Sequence, residues 1–161
     1  KFIDKRNILQ FKTSWDKKYF YVDLTLIDNG SKNRGEEKEF NYRSDFLFGK
    51  KNEFPKAIHI SYGQDCVYGG KELEYRRVDL KTEEKITKKY YNVITKIPWE
   101  YIDIAPQPGN EIMMDIKIIE INENVGWKGL NVLSWATGKY HMLDNSHKCN
   151  DYNMNKVKLV K

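Results

Sequence analysis

The sequence predicts an all-β chain folded as one antiparallel β-sandwich, immunoglobulin- or jelly-roll-like, in a single domain over residues 1–161. Apolar and polar residues alternate in many short runs bounded by turn residues, while helical periodicity is nearly absent. From residue 97 onward, a proline turn, a Pro-Gly turn, a long alternating run and a tryptophan-ended run follow one another. Many short strands with turn signals between them are typical of antiparallel sandwiches.

The first predicted element is a β-hairpin. Every second residue from Leu9 to Trp15 shares one parity, with polar residues between, as in a half-buried strand. From Phe20 to Leu26 the apolar residues again occupy every second position. Two alternating runs joined by about three polar residues, here 16–18, predict a tight hairpin.

The middle of the chain predicts shorter strands. Residues 29–39 are polar and form a long loop, and residues 46–48 form a short apolar strand closed by Gly49. Ile58 and Ile60 point inward, which places His59 on the opposite face. Residues 71–79 form a polar edge strand, and residues 81–89 form a charged turn.

The second half contains the longest alternations. Odd-numbered residues from Tyr91 to Ile97 face inward, and the segment 98–104 holds a short helical turn because proline suits a first helical position. Even-numbered residues from Ile112 to Ile118 share one face. A loop at 122–129, a strand at 131–135, a polar segment at 136–155 and a closing strand at 157–160 complete the prediction.

Charge and hydropathy exclude two classes of partner. The formal net charge is +5, but the basic residues are scattered among acids, whereas nucleic-acid binders cluster them on one face. We therefore expect no nucleic-acid partner. No apolar run approaches the roughly 18 residues that a membrane helix needs, so we expect no membrane insertion. The chain begins at Lys1 without a methionine, as expected of a processed or trimmed piece.

The two cysteines, Cys66 and Cys149, lie too far apart in the sequence to form a close metal-ligand pair. They allow either one long-range disulfide or two free thiols. Export would favour the disulfide, because disulfides persist in oxidising compartments.

Three motifs resemble one family. They are Ser14-Trp15-Asp16-Lys17-Lys18-Tyr19-Phe20-Tyr21-Val22, Ile97-Pro98-Trp99 about ten residues before Pro108-Gly109, and Val132-Leu133-Ser134-Trp135 before a terminal strand. In this order they resemble the family-9 carbohydrate-binding modules and their DOMON-like relatives. The family's opening strand is missing or divergent, with Ile3-Asp4 as its remnant. Only an aspartate and an apolar run, Ser44-Asp45-Phe46-Leu47-Phe48, match the family's third strand.

The resemblance implies a non-catalytic sandwich in which aromatic side chains flank a sugar ring. Carried over by position, these are Tyr42, three residues before Asp45, and Tyr140, five residues after Trp135, with His59 as the family's basic residue. The resemblance also implies an oligo- or polysaccharide partner. It places the chain at the cell surface, in the secreted fraction or on the periplasmic side, attached to or acting with a glycoside hydrolase.

The residue chemistry agrees with this implication. The C–H edges of a sugar ring stack on an aromatic face, and planar polar groups then fix its hydroxyls. Tyr42, Arg43 and Asp45 supply that mixture, and Tyr140, His141 and Asn145 supply it again. For each tyrosine the alternative is a surface residue that covers a loop.

The four tryptophans divide into two groups. Trp15, Trp99 and Trp135 each end an alternating apolar series and are expected in the core. Trp127 lies in a loop between two glycines, where a binding platform and a cover over the core are equally open interpretations.

The sequence contains no nucleophile elbow, phosphate loop or zinc motif, and no carboxylate pair in a distinctive apolar setting. We therefore expect no enzyme activity, no metal site and no cofactor. Calcium near Asp28, Asn29 and Asp45 stays open, as does haem through His141-Met142. The main alternative function is a structural or protein-interaction sandwich without a sugar site, and a haem carrier or glycoside hydrolase is a lesser one.

Overall fold

The structure is a computed structural model, and it describes residues 2–3, 7–28, 41–49, 55–60, 65–69, 74–87, 90–121, 131–135, 139–142 and 154–160. Thirteen strands lie in these ranges: β1 (Phe2–Ile3), β2 (Asn7–Trp15), β3 (Tyr19–Asp28), β4 (Asn41–Gly49), β5 (Lys56–Ile60), β6 (Cys66–Gly69), β7 (Glu74–Arg77), β8 (Glu83–Ile86), β9 (Tyr90–Pro98), β10 (Glu111–Ile121), β11 (Asn131–Ser134), β12 (Lys139–Met142) and β13 (Asn155–Lys158). The helical element of the described residues is a single 3-10 turn, Trp99–Tyr101.

The strands form two antiparallel sheets. The smaller sheet has the order β1-β2-β3-β9-β8, and the larger has the order β12-β11-β10-β4-β5-β6-β7. The long strand β10 pairs with β4 along one edge, and β11 and β13 share its other edge end to end. The all-β sandwich predicted from the alternating pattern is confirmed.

The inward positions of both sheets build the core. Alternate residues of β3 and β9 are buried, because a strand turns successive side chains to opposite faces. In β4 and β10 the inward positions are buried too, together with several outward ones. Among the largest fully buried side chains are Phe20, Leu24, Tyr91, Phe46, Phe48, Ile58 and Ile116. The inward faces predicted for Phe20–Leu26, Tyr91–Ile97 and Ile112–Ile118 are all confirmed.

Aromatic rings join the sheets at one end of the sandwich. The Phe20 ring on β3 meets the Phe48 ring on β4 edge-on, with centroids 5.4 Å apart, and Trp99 lies 5.5 Å from Phe20. The Trp99 indole donates to the Asp16 carbonyl at 2.9 Å, which fastens the 3-10 turn to the β2–β3 hairpin. Trp15 and Trp135 are half-buried and pack against the same core. The core placement predicted for these three tryptophans is confirmed.

A buried polar chain also crosses the sandwich. Ser44 on β4 donates to the Tyr91 hydroxyl on β9 at 3.1 Å, and that hydroxyl donates to Glu84 on β8 at 3.1 Å. Burial raises the pKa of Tyr91 and, against the opposing Tyr91 hydrogen bond, that of Glu84. Buried polar groups satisfied in this way favour one relative placement of the two sheets.

The prediction of a charged turn at 81–89 is wrong. Glu83–Ile86 is the edge strand β8, which pairs with β9 from Glu83↔Ile94 to Ile86↔Tyr91. Charged side chains suit an edge strand, because they discourage pairing with a further chain. Its Glu84 reaches inward and accepts a hydrogen bond from Tyr91, seven residues further along the chain. The run of charged residues at 83–85 gave no sign that one of them faces inward.

Candidate functional site

The outward side of the larger sheet carries most of the described residues of the candidate site, and we call it the outer face. Its positions alternate with the core residues Phe46, Ile58 and Val67, and strand pairing aligns them in cross-strand rows. The central row runs Arg77, Cys66, His59, Asp45, Lys117, Ser134. The tyrosine row beside it runs Tyr75, Tyr68, Ala57, Leu47, Asp115. On the other side, the arginine row runs Arg43, Ile119, Val132, His141.

A buried carboxylate organises the centre of the outer face. Asp45 is 5% exposed, and its Oδ2 accepts a hydrogen bond from Arg43 Nη2 at 3.0 Å. Arg43 Nε lies 2.9 Å from Oδ1, as an ion-pair contact rather than a hydrogen bond. His59 Nδ1 lies 2.7 Å from the same Oδ1. Because a carboxylate only accepts, this contact places the Nδ1 proton on His59 and leaves Nε2 as its second polar atom.

The electrostatics of Asp45 follow from these partners. Burial by itself would raise the pKa of Asp45, but the His59 hydrogen bond and the neighbouring charges of His59 and Arg43 outweigh it and lower that pKa. The carboxylate therefore stays ionised and holds Arg43 and His59 in fixed positions. Both side chains keep partial exposure, 25% for Arg43 and 17% for His59, so they can present donors to a ligand.

Because the pKa of Asp45 is lowered, we expect the free energy of unfolding to depend on pH in the acidic range. A carboxyl group whose pKa is lower in the folded than in the unfolded protein stabilises the fold at every pH above its unfolded-state pKa, here 3.8. This stabilisation is lost as the pH falls through the lower pKa of the folded state. The free energy of unfolding of the wild type should therefore drop more steeply below about pH 4 than that of Asp45→Asn. Urea unfolding at several pH values between about 2 and 5 measures both slopes. Parallel slopes would show that Asp45 has no depressed pKa.

Two exposed tyrosines lie beside this cluster. Tyr68 on β6 and Tyr75 on β7 occupy paired positions and are 38% and 63% exposed. The Tyr68 ring centroid lies 6.0 Å from that of His59. Large aromatic side chains left in solvent at neighbouring positions mark an interaction surface more often than isolated ones do.

The sequence did not single out these two tyrosines. It predicted a polar edge strand over 71–79, and β7 confirms an edge strand at Glu74–Arg77. The sequence did show that Tyr75 and Arg77 are two residues apart in a predicted strand and so lie on the same side of it. That signal does not say which face they occupy, since the face depends on pairing with β6 across the turn.

Cys66 lies in the central row between His59 and Arg77, and it is buried. Burial raises the pKa of its thiol against an opposing hydrogen bond from Tyr75, so the thiol stays protonated at neutral pH. It is a free cysteine in this structure. Cys149 lies outside the described residues, so the disulfide stays a prediction.

A second buried carboxylate, Asp115, borders the site. Asp115 is 1% exposed and accepts from Ser134 Oγ and from the Ile116 amide, each at 2.8 Å. It shares the outward parity predicted for it, but its burial was not foreseen. The alternating pattern gives the face on which a residue lies and does not say whether that face is covered.

The remaining predicted site residues are described only in part or not at all. Tyr42, Tyr140 and His141 lie in strands, and the structure describes their backbones but not their side chains. His141 occupies the arginine row. Tyr42 pairs with Glu120 and Tyr140 with Leu133, so their register positions alternate with the outer-face rows and belong to the inward side of the sheet. Trp127 and Asn145 lie outside the described residues. The structure thus brings Arg43, Asp45 and His59 together, and the other roles stay predictions.

The described part of the chain contains neither a cluster of metal ligands nor a membrane-spanning helix. In that part of the chain, no group of three or more His, Cys, Asp or Glu could hold a metal ion. Asp45, one residue considered for calcium, is instead engaged by Arg43 and His59. No helix among the described residues is long and apolar enough to cross a membrane.

Comparison with known proteins gives a structural likeness. No protein-family profile matches the chain, and no curated protein matches it in sequence. A family-9 carbohydrate-binding module from Caldicellulosiruptor kristjanssonii in complex with glucose has a TM-score of 0.55 and 15% identity, over 95% of this chain and 76% of that one. A cellotriose complex of a family-9 module from the same organism has a TM-score of 0.51 and 14% identity, over 96% and 75%. The chain therefore has a family-9-like fold, as its three motifs predicted.

Proposed function

We propose that this chain is a non-catalytic carbohydrate-binding module that holds a sugar on the outer face of the larger sheet. The observation that carries the proposal is the exposed pair Tyr68 and Tyr75 beside the fixed cluster of Arg43, Asp45 and His59. The shared fold adds support, since the two similar structures were determined with glucose and with cellotriose.

Each part of the surface has a separate role in this proposal. The tyrosine faces stack on the apolar C–H face of a sugar ring, and the guanidinium of Arg43 and the imidazole of His59 bind its hydroxyls. Asp45 is a positioning residue, because its buried carboxylate fixes both groups before a ligand arrives. Fixed donors lose little entropy on binding, but a shallow surface gains limited contact, so dissociation constants of roughly micromolar to millimolar are expected.

The tyrosines provide the first test. Tyr68→Ala and Tyr75→Ala should each weaken sugar binding about five- to tenfold, because each removes one stacking surface. Calorimetric titration with glucose and cellotriose measures the effect. Tyr90→Ala is the matched control, since Tyr90 lies on the outward side of the smaller sheet and should leave binding unchanged.

Retained affinity in both site variants would contradict the proposed surface. If the folded wild type binds no saccharide at all, the chain is better described as a structural or protein-interaction sandwich. Release of reducing ends from a polysaccharide by the purified chain would contradict the non-catalytic assignment.

The proposal includes a setting, an exported glycan-processing system in which the module acts beside a glycoside hydrolase. Its support is the family-9-like fold. Antibody detection of the native protein in secreted, surface and cytosolic fractions tests it. Detection in the cytosol alone would contradict export.

A further inference from the structure

The charges of the outer face are unevenly exposed. Among the basic and carboxylate side chains described in its three rows, those that keep contact with solvent are all basic: Arg43, His59, Arg77 and Lys117. The two carboxylates of these rows, Asp45 and Asp115, are 5% and 1% exposed. A ligand approaching these three rows therefore meets basic side chains, although basic and acidic residues are mixed along the sequence as a whole. The exposed Glu111, further along β10 on the same side, is paired with Lys156.

The basic groups differ in their availability. Arg43 is engaged by Asp45, and Arg76, on the other side of β7, stacks over the Tyr101 ring at 4.9 Å. Arg77 is exposed, and none of the ion pairs among the described residues involves it. A guanidinium without a partner can offer its planar pair of donors to a ligand.

The position of Arg77 relates it to the tyrosines. It lies two residues from Tyr75 on the same face of β7, about 7 Å along the strand. It is paired with the small buried Cys66, whose other neighbour in the central row is His59. Cys66 therefore has His59 and Arg77 as its neighbours in the central row, and the pair Tyr68 and Tyr75 lies in the adjacent row. The small side chain of Cys66 leaves space between the aromatic rings and the basic groups.

Resting on the proposed function, we infer that the sugar bound here is acidic, a uronic acid unit whose carboxylate pairs with Arg77 while its ring stacks on Tyr68 and Tyr75. Guanidinium and carboxylate match in a two-pronged hydrogen-bonded pair, which a neutral hydroxymethyl group at the same ring carbon cannot form. The buried positions of Asp45 and Asp115 keep repelling charge away from the ligand surface.

The test compares acidic sugars with their neutral counterparts. An array of uronate-containing oligosaccharides is printed beside the same oligosaccharides after carboxyl reduction, and bound pairs are then titrated by calorimetry. The acidic member should bind about three- to tenfold more tightly, the range for one exposed but two-pronged ion pair. This preference should shrink as sodium chloride is raised, because salt screens exposed charges.

Two variants of equal net charge locate the effect. Arg77→Gln should abolish the preference for the acidic member while binding to the neutral member persists. Lys12→Gln removes one positive charge from an exposed position on the smaller sheet and should preserve the preference. Arg77→Lys, which keeps the charge without the planar fork, should retain part of it.

The outcomes separate this inference from the proposed function. Equal binding of acidic and neutral members overturns the acidic ligand but leaves sugar binding intact. If Lys12→Gln loses the preference as fully as Arg77→Gln does, the inference is overturned in favour of general attraction to anions. The same holds if a single-stranded oligonucleotide binds as tightly as the acidic oligosaccharide. No binding to any saccharide on the array overturns both.

Discussion

Asp45→Ala is expected to lower the free energy of unfolding by about 2–3 kcal/mol, because it leaves Arg43 and His59 without their shared carboxylate. Breaking a fully buried ion pair costs roughly 3–5 kcal/mol. The lower value applies here, since Arg43 and His59 keep 25% and 17% exposure and water can replace part of the lost interaction. Urea unfolding at neutral pH measures the change.

Asp79→Ala is the matched control for this substitution. Asp79 is exposed, and replacing such a surface aspartate should change the free energy of unfolding by less than about 0.5 kcal/mol. If the two variants are equally stable, the Arg43–Asp45–His59 cluster does not stabilise the fold. A folded Asp45→Ala protein should also bind sugar more weakly, because Arg43 and His59 are no longer held in place.

Trp99→Ala is expected to lower the free energy of unfolding by about 3–5 kcal/mol, the range for removing a large buried aromatic side chain. Trp99 is 4% exposed, packs 5.5 Å from Phe20 and 6.4 Å from Trp15, and donates to the Asp16 carbonyl. Its loss opens a cavity and removes the side-chain hydrogen bond to the β2–β3 hairpin, while the backbone bond from residue 99 to the Lys18 carbonyl remains. Thermal and urea unfolding measure the change.

Trp99→Phe separates the core role of Trp99 from a ligand role. It retains an aromatic ring and removes the indole hydrogen bond, so it should cost less than Trp99→Ala. Sugar binding should be unchanged, because Trp99 lies in the core between the sheets rather than on the outer face. A stable Trp99→Phe protein that no longer binds sugar would place Trp99 in the binding site.

Residues whose role follows from local alternation could be predicted from the sequence. The inward faces of β3, β9 and β10, the core placement of Trp99 and the outward position of His59 each follow from period-two patterning. A short helical turn in the segment 98–104 was likewise predicted, but Pro98 takes the N-cap position, with ψ 134°, and the turn itself begins at Trp99.

Contacts between strands distant in the chain could not be predicted in the same way. The contact between Asp45 and His59 depends on the register of β4 against β5, and the pairing of Tyr68 with Tyr75 depends on that of β6 against β7. Alternation leaves such registers open, because shifting a strand by two residues preserves every face. The sequence therefore identified Arg43, Asp45 and His59 as candidates but did not show that Asp45 is buried beneath the other two.

The central claim is that sugar binds to the outer face of the larger sheet, and amide NMR during titration with cellotriose tests it most directly. We expect saturable shift changes grouped on β5, β6 and β7, at His59, Tyr68, Tyr75 and Arg77, with little change along β2 and β3. Saturable changes confined to the smaller sheet, or no saturable change at millimolar sugar in the folded protein, would contradict it.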